Sequence, residues 1–385
     1  MVNINPRERV VTAYNHKEPD RVPICIGGVA QKFTKPIYKR VKEKLGLTTK
    51  YEKEDILDEL NCIIYYDPEV LDHFNVDFRE IHINKIPPLE VFDDGSWKHE
   101  LGVTLKVSPS GETANFVTHP FKEMDADAIK KYKWPEPYDK RRVEGLKDEA
   151  AKLYNETDYA IGAYKATLLG IFDCAWTMRS MDKFFIDLVF DKNLVNVLLD
   201  KVLEFNYGVY DLFLGEVGQY INVVEFNDDF GSQSNLMISP GQYREFIKPR
   251  HKTMIDMFKK HAPQAKVLIH SCGSIHDIIP DFIEIGIDII NPVQPLATKM
   301  NTFDLKKEFG KEICFQGGID LQTAMRGTIE DVDREVQERI ASLAPGGGYV
   351  LSSANNIASD IPVENVFRLY EAAIKYGSYP INIKL

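Results

Sequence analysis

Long apolar runs are missing from this 385-residue chain. None reaches the roughly 20 residues that cross a bilayer as a helix, so no membrane association is expected. Cysteine is scarce. The five thiols, Cys25, Cys62, Cys174, Cys272 and Cys314, are odd in number and widely spaced, which argues against a disulfide framework and for a reducing compartment. Clustered positive charge is also missing. The formal net charge is −11, and no group of Lys and Arg is interleaved with aromatics, so nucleic acid is not an expected partner. No G-x-G-x-x-G opens a helix, which weakens a dinucleotide-binding reading. No low-complexity segment and no short repeat of the solenoid kind is present. The opening MVNINPRERVV is polar and charged and has no signal-peptide apolar core. A cytoplasmic protein is the expectation.

What is present is an alternation. Asn5-Pro6-Arg7-Glu8 has the cap, the first-turn proline and the acidic N3 residue of a helix start. Val22 to Ile26 is a short apolar strand. A helix over about 34–45 stops at Gly46. Residues 81–120 carry turn signals at Pro87-Pro88, Asp94-Gly95 and Ser110-Gly111 between short alternating stretches, which predicts a small antiparallel insertion. From Asp158 onward strands and helices alternate. Strands are predicted at 159–163, 221–226, 266–270, 287–291, 313–316 and 349–352. Helices are predicted at 169–180, 181–214, 240–261, 275–285, 302–309, 329–344 and 363–376. The strands are continuously apolar, as in a parallel sheet covered by helices. With Val22 and a strand near 76–79 they number eight, which predicts an α/β fold of the (β/α)8 TIM-barrel type, one domain over 1–385.

In such a barrel the chemistry lies at the C-terminal ends of the strands. His270 and Cys272 leave one strand two residues apart, on one side of the pleat. An imidazole and a thiol so placed are half of a zinc site; the alternative is a core cysteine beside a structurally bonded histidine. Completing ligands are weak. Gln294 and Asn355 offer only amide oxygens, and Cys314 lies inside its strand. Asp228 and Asp229 are candidate acid/base or metal-binding carboxylates, or else one caps the next helix. Glu225 and Tyr164 also leave strands and join the catalytic candidates. Asn291, Gln294, Gln316, Asn355 and Asn356 are the candidate substrate-binding amides. The three glycines 346–348 suit a tight entry into the last strand better than a phosphate loop. Arg21 is expected to be structural, paired with Asp20 or a barrel carboxylate.

Pro6-Arg7-Glu8-Arg9, Glu18-Pro19-Asp20-Arg21-Val22-Pro23, Ile238-Ser239-Pro240 with Tyr243-Arg244-Glu245-Phe246, and Gly347-Gly348-Tyr349 with Asp360-Ile361-Pro362 together resemble the uroporphyrinogen decarboxylase superfamily, over nearly the whole chain. The resemblance implies a (β/α)8 barrel. True decarboxylases of that family carry an R-Q-A-G-R-Y segment, where this chain has Gly27 to Phe33 without arginine, and a G-H-G histidine, where it has Asn355. The cobalamin-linked methyltransferases of the superfamily use a His-x-Cys…Cys zinc site. His270-Ser271-Cys272-Gly273 is similar to its first half, while the later cysteine falls at Asn355 and a carboxylate at Gln294.

That likeness implies an enzyme moving a methyl group between a small donor or acceptor and a corrinoid protein. Zinc, held by His270 and Cys272, and cobalamin, carried by the partner, would be its cofactors. A decarboxylase acting in tetrapyrrole metabolism and a non-catalytic binding protein on the same fold are the alternatives.

Overall fold

The computed structural model describes residues 4–26, 31–47 and 56–385. The apolar runs pair into one seven-stranded parallel sheet: β1 (Phe78–Ile81), β2 (Ala160–Ala163), β3 (Val223–Asn227), β4 (Lys266–His270), β5 (Ile289–Val293), β6 (Cys314–Ile319) and β7 (Tyr349–Ser353). Neighbours in sequence are neighbours in the sheet from β1 to β7. Each crossover is helical, the arrangement that lets both faces of a parallel sheet be covered. The strands end nearly level, with His270 beside Asn227 on one side and Asn291 on the other. Their exits therefore form a common rim.

The expected first strand is not a ladder strand. Pro23 has no N–H to give, and the Ile24 N–H donates to the Asp77 carboxylate at 2.8 Å. What remains is a parallel bridge from Ile24 to Leu351. Cys25 N–H donates to the Leu351 carbonyl and Leu351 N–H to that of Pro23, while on the other side Asp77 N–H donates to the Ile24 carbonyl. The segment is thus bonded to both β7 and the residue before β1. Gly27 to Ala30, the glycine-rich stretch compared above with the arginine segment, lie outside the described residues.

The insertion is as expected: Glu90–Val91, Trp97–Lys98, Thr104–Val107 and Ala114–Phe116 make an antiparallel sheet in chain order. The helix predicted over 181–214 is two helices, Met181–Phe190 and Lys192–Val217. Asp191 breaks it, because its side chain accepts from the Leu194 N–H and caps the second helix. The helix from Pro240 widens into a π turn at Tyr243–Ile247 before Lys248–His261; Pro249 cannot donate the regular bond back to Glu245. Gly346, Gly347 and Gly348 all have φ between +74° and +78°, the left-handed entry into β7 that glycine alone adopts freely.

Asp77 holds the N-terminal segment to the sheet. It is fully buried, and besides Ile24 it accepts from Arg9 Nη1 at 2.7 Å and from both Arg21 Nη atoms at 2.8 and 2.9 Å. Arg9 in turn grips Asp20. Arg21 is structural, as expected. Asp77→Ala leaves two guanidinium groups and one N–H without their buried partner, so it is expected to cost about 3–5 kcal/mol; urea denaturation followed by circular dichroism measures this.

Candidate active site

Asp228 organises the rim. Its carboxylate accepts from Ile171, Phe172 and Asp173 N–H at 2.8–3.1 Å, the free donors of the helix Ile171–Arg179, and from His251 Nε2 at 2.9 Å. Its own N–H donates to the His270 carbonyl. The helix start can come this close only because residue 170 is glycine: a Cβ there would collide with the Asn227 carbonyl and the Asp228 carboxylate. Asp228 thus engages a helix start, as the capping alternative had it for one of the pair, though that helix precedes it in the chain. Every oxygen is engaged, the side chain is fully buried, and it faces a helix end instead of the cleft.

Its neighbours do face the cleft. Asp173 accepts from Asp229 N–H at 3.0 Å and from the Trp176 indole at 3.2 Å. Asp229 accepts from Cys272 N–H at 2.7 Å. Cys272 lies beyond the end of β4, yet its Sγ is 3.5 Å from His270 Nε2. A carboxylate oxygen of Asp229, a ring nitrogen of His270 and Sγ of Cys272 all lie within 4.8 Å of one another. Of the carboxylates and amides the sequence offered beside this pair, Asp229, just past the end of β3, is the one brought to His270 and Cys272.

The imidazole's tautomer follows from its neighbours. Asn291 Nδ2 donates to the Gln316 backbone carbonyl at 3.3 Å and to Gln31 Oε1. A carbonyl can only accept, so the opposite atom of Asn291 is its oxygen. That oxygen is 2.8 Å from His270 Nδ1, which must carry the proton. Nε2 then holds a lone pair, directed to the side where Cys272 lies. Burial lowers the His270 pKa against the pull of Asp229. Burial, then the charges of Asp229 and Asp173, push the Cys272 thiol well up. The same sequence of causes, burial followed by Asp228 and Asp229, raises Asp173 well above the usual carboxyl range.

The cleft is about 220 Å³. Glu225, Tyr164, Asn355 and Asn356 line it with Asp229, His270 and Cys272. Asn355 Nδ2 is 3.4 Å from Cys272 Sγ. Asn291, Gln294 and Gln316, which the sequence offered as substrate amides, are not among the residues that line it. Asn291 sits behind His270. Gln294 is tied to backbone at both ends, from Gly273 N–H and to the Ala354 carbonyl. Gln316 is fully buried and accepts from the Tyr14 hydroxyl. Cys314 is a core residue.

Among the cleft residues that escaped the sequence are Asp173, Trp176 and Lys165. The first two lie on the helix after β2, whose predicted start gave no reason to aim them inward. Lys165 directly follows Tyr164 and pairs with buried Asp58 at 3.0 Å. Burial opposes the Lys165 charge, but Asp58, and then Glu225, raise its pKa. Burial alone would raise Asp58, yet Lys165 and hydrogen bonds from Asn61 and Tyr164 hold it well below the usual carboxylate range.

If Asp228 is structural, Asp228→Ala loses about 3–5 kcal/mol of stability, since it strands His251 and three helix N–H groups. Chemical denaturation checks the size. Unchanged stability with lost catalysis would return Asp228 to the reacting groups.

The model of the family described as uroporphyrinogen decarboxylase (URO-D) matches residues 97–376. The uroporphyrinogen decarboxylase of Prochlorococcus marinus strain MIT 9312 is 23% identical over 223 residues, covering 54% of this chain and 59% of that protein. That of Trichodesmium erythraeum strain IMS101 is also 23% identical, over 56% of this chain and 59% of the relative. The chain thus spans 59% of the length of these curated relatives. Among solved structures, a methyltransferase from Methanosarcina mazei matches with a TM-score of 0.64 at 16% identity, over 97% of this chain and 99% of that one, a likeness of fold. With the family model running from the inserted sheet to the last helix, over most of the chain, this protein belongs to the uroporphyrinogen decarboxylase family.

Proposed function

We propose that the protein is an enzyme that transfers a methyl group between a small substrate and a corrinoid carried by a partner protein, with zinc at Asp229, His270 and Cys272. The observation that carries this reading is the convergence of those three ligand types within 4.8 Å at the wall of a cleft. One carboxylate, one imidazole and one thiolate, with a fourth position open to the cleft, is a donor set that suits catalytic zinc. The name of the Methanosarcina mazei protein of like fold, a methyltransferase, agrees with it.

Zinc, when bound there, acts as a Lewis acid on the heteroatom that carries or receives the methyl group. The chain's own residues prepare the site. Asn291 fixes the His270 tautomer so that Nε2 presents its lone pair. The Cys272 N–H anchors one Asp229 oxygen, and Asn355 Nδ2 gives the sulfur a hydrogen bond that favours thiolate. Tyr164 donates to Asp58 at 2.9 Å, and burial raises its pKa, so it serves as a protonated wall. Glu225 is the carboxylate we assign to proton handling. Asn356 closes the rim beside Asn355. We read Pro23–Ile26 as the eighth stave of a (β/α)8 barrel, bonded on both sides, residues 1–385 as one domain, and the strand-exit rim as the face that meets the corrinoid protein.

A decarboxylase is the second reading, favoured by the curated relatives. Among the described residues lining the cleft there is no arginine, and its lysine already pairs with Asp58. A many-carboxylate porphyrinogen calls for complementary positive charge.

Elemental analysis should find about one zinc per chain, lost in Cys272→Ala. Asn291→Leu should weaken zinc by about 10–100-fold, read by competition with a chromophoric chelator. Protein that holds no metal and moves no methyl group to or from any corrinoid protein ends this reading; release of CO2 from uroporphyrinogen would favour the second.

A further inference from the structure

A second chamber lies beside the cleft, between the exits of β1 and β2 and the inserted sheet. It measures about 110 Å³, and Tyr164 and Lys165 belong to both walls. The Tyr164 hydroxyl and the Lys165 ammonium meet on the Asp58 carboxylate at 2.9 and 3.0 Å, so the two spaces adjoin at that trio. Leu57, Ile83, Ile86, Leu168 and Phe205 supply an apolar lining.

The charged groups of this wall are already matched. Asp58 holds Lys165, Glu100 takes both Nη atoms of Arg142 at 3.0 and 2.5 Å, and Glu59 lies 3.5 Å from Lys85. His82 Nε2 is 3.0 Å from Glu80. His99 Nδ1 accepts from Leu101 N–H at 3.2 Å, and burial lowers the His99 pKa. An entering charge would therefore lose its water without finding an unpaired partner. Two polar atoms of the lining residues are not matched. Arg142 Nε and His82 Nδ1 are buried with no hydrogen-bond partner among the described residues, and the Arg142 side chain is only 5% exposed. Buried polar groups are rarely left so. An apolar wall with a few polar atoms is the usual make-up of a small-molecule site. A hydroxyl both accepts and donates, so it can serve the Arg142 N–H and the His82 nitrogen alike.

We infer that this chamber holds the non-reacting body of the small ligand on which the enzyme acts, and that this body is uncharged, largely apolar and hydroxylated. Calling that ligand the substrate rests on the methyl-transfer reading, in which its methyl-bearing atom reaches the Asp229, His270 and Cys272 group across Tyr164 and Lys165. The chamber and its preference for an uncharged guest rest on the wall alone and are measurable without turnover.

Benzyl alcohol, benzoate and benzylammonium share one ring and differ in charge; toluene lacks the hydroxyl. Isothermal titration of the full-length protein should show benzyl alcohol binding at least tenfold tighter than either ion and several-fold tighter than toluene. Leu168→Trp, which fills the chamber, should weaken benzyl alcohol at least tenfold. Arg142→Lys, which keeps a cation opposite Glu100 and removes Nε, should weaken it several-fold; either variant alone suffices if the other fails to fold. Preference for either ion, no binding of benzyl alcohol at millimolar concentration, or an affinity unchanged in both variants overturns the inference. Failure of the two readings is separable. Methyl transfer to cob(I)alamin from 2-methoxyethanol, with no preference for benzyl alcohol over the ions, overturns the inference and leaves the proposed function standing. That preference, lost in Leu168→Trp, without transfer from any methyl donor ends the proposed function and leaves the chamber and its ligand class.

Discussion

One buried carboxylate sets the geometry on which the site depends. Asp228 joins the start of a helix, the end of β4 and the His251 ring through five hydrogen bonds. Anchoring that helix start fixes Asp173, which accepts the next backbone N–H, at Asp229. Asp229 in turn accepts the N–H of Cys272. A chain of carboxylates accepting from backbone donors therefore runs from a helix terminus to the thiol. Each is fixed at an atom by the last, so the cleft side chains are positioned by main chain, which is stiff, and not by loop packing. The cost is two more carboxyl groups in low dielectric, visible in the raised Asp173.

The same arrangement explains how the metal-type cluster can exist without the amino acids the family resemblance implies. The exits of β5 and β7 carry Gln294 and Asn355, neither a good ligand. Gln294 uses both ends of its amide to tie the loop after β4 to the loop after β7, and Asn355 faces the sulfur with a donor. The strand exits share one rim, so a ligand absent from the later strands is replaceable from an earlier one. Asp229 enters from β3. Gly273, at φ +81° and packed on Gly231, brings the two loops close enough for this. A side chain at either glycine would push β3's exit from β4's.

How much of this was legible follows from what each residue type advertises. Continuous apolar runs between turn signals placed six of the seven sheet strands, because a strand buried on both faces has little other way to be written. The His-x-Cys pair was legible because both types are rare and their spacing is short. Asp228 and Asp229 were legible as candidates but not separable: adjacent carboxylates point oppositely, and only the position of Gly170 and His251 decides which is buried. Asn291 and Gln316 were read as substrate contacts because a strand-end amide looks the same whether it faces a ligand or the histidine behind it. Asp173, Trp176 and Lys165 carried no signal. Their relevance depends on where a helix starts, and Asp228 sets that from 55 residues away.

The N-terminal edge of the sheet obeys a related constraint. A segment that contains Pro23 cannot supply a full set of ladder donors, so the N-terminal stave needs another bond. Asp77 provides it, taking the N–H of Ile24 with a side chain and returning its own N–H to the Ile24 carbonyl. Arg9 and Arg21 neutralise it from the outer side. A carboxylate thus closes one end of the strand row as another organises the opposite rim. Both succeed for the same reason, that a buried carboxylate is tolerable where it accepts several directed N–H bonds. In this chain acidic groups do the positioning at both ends.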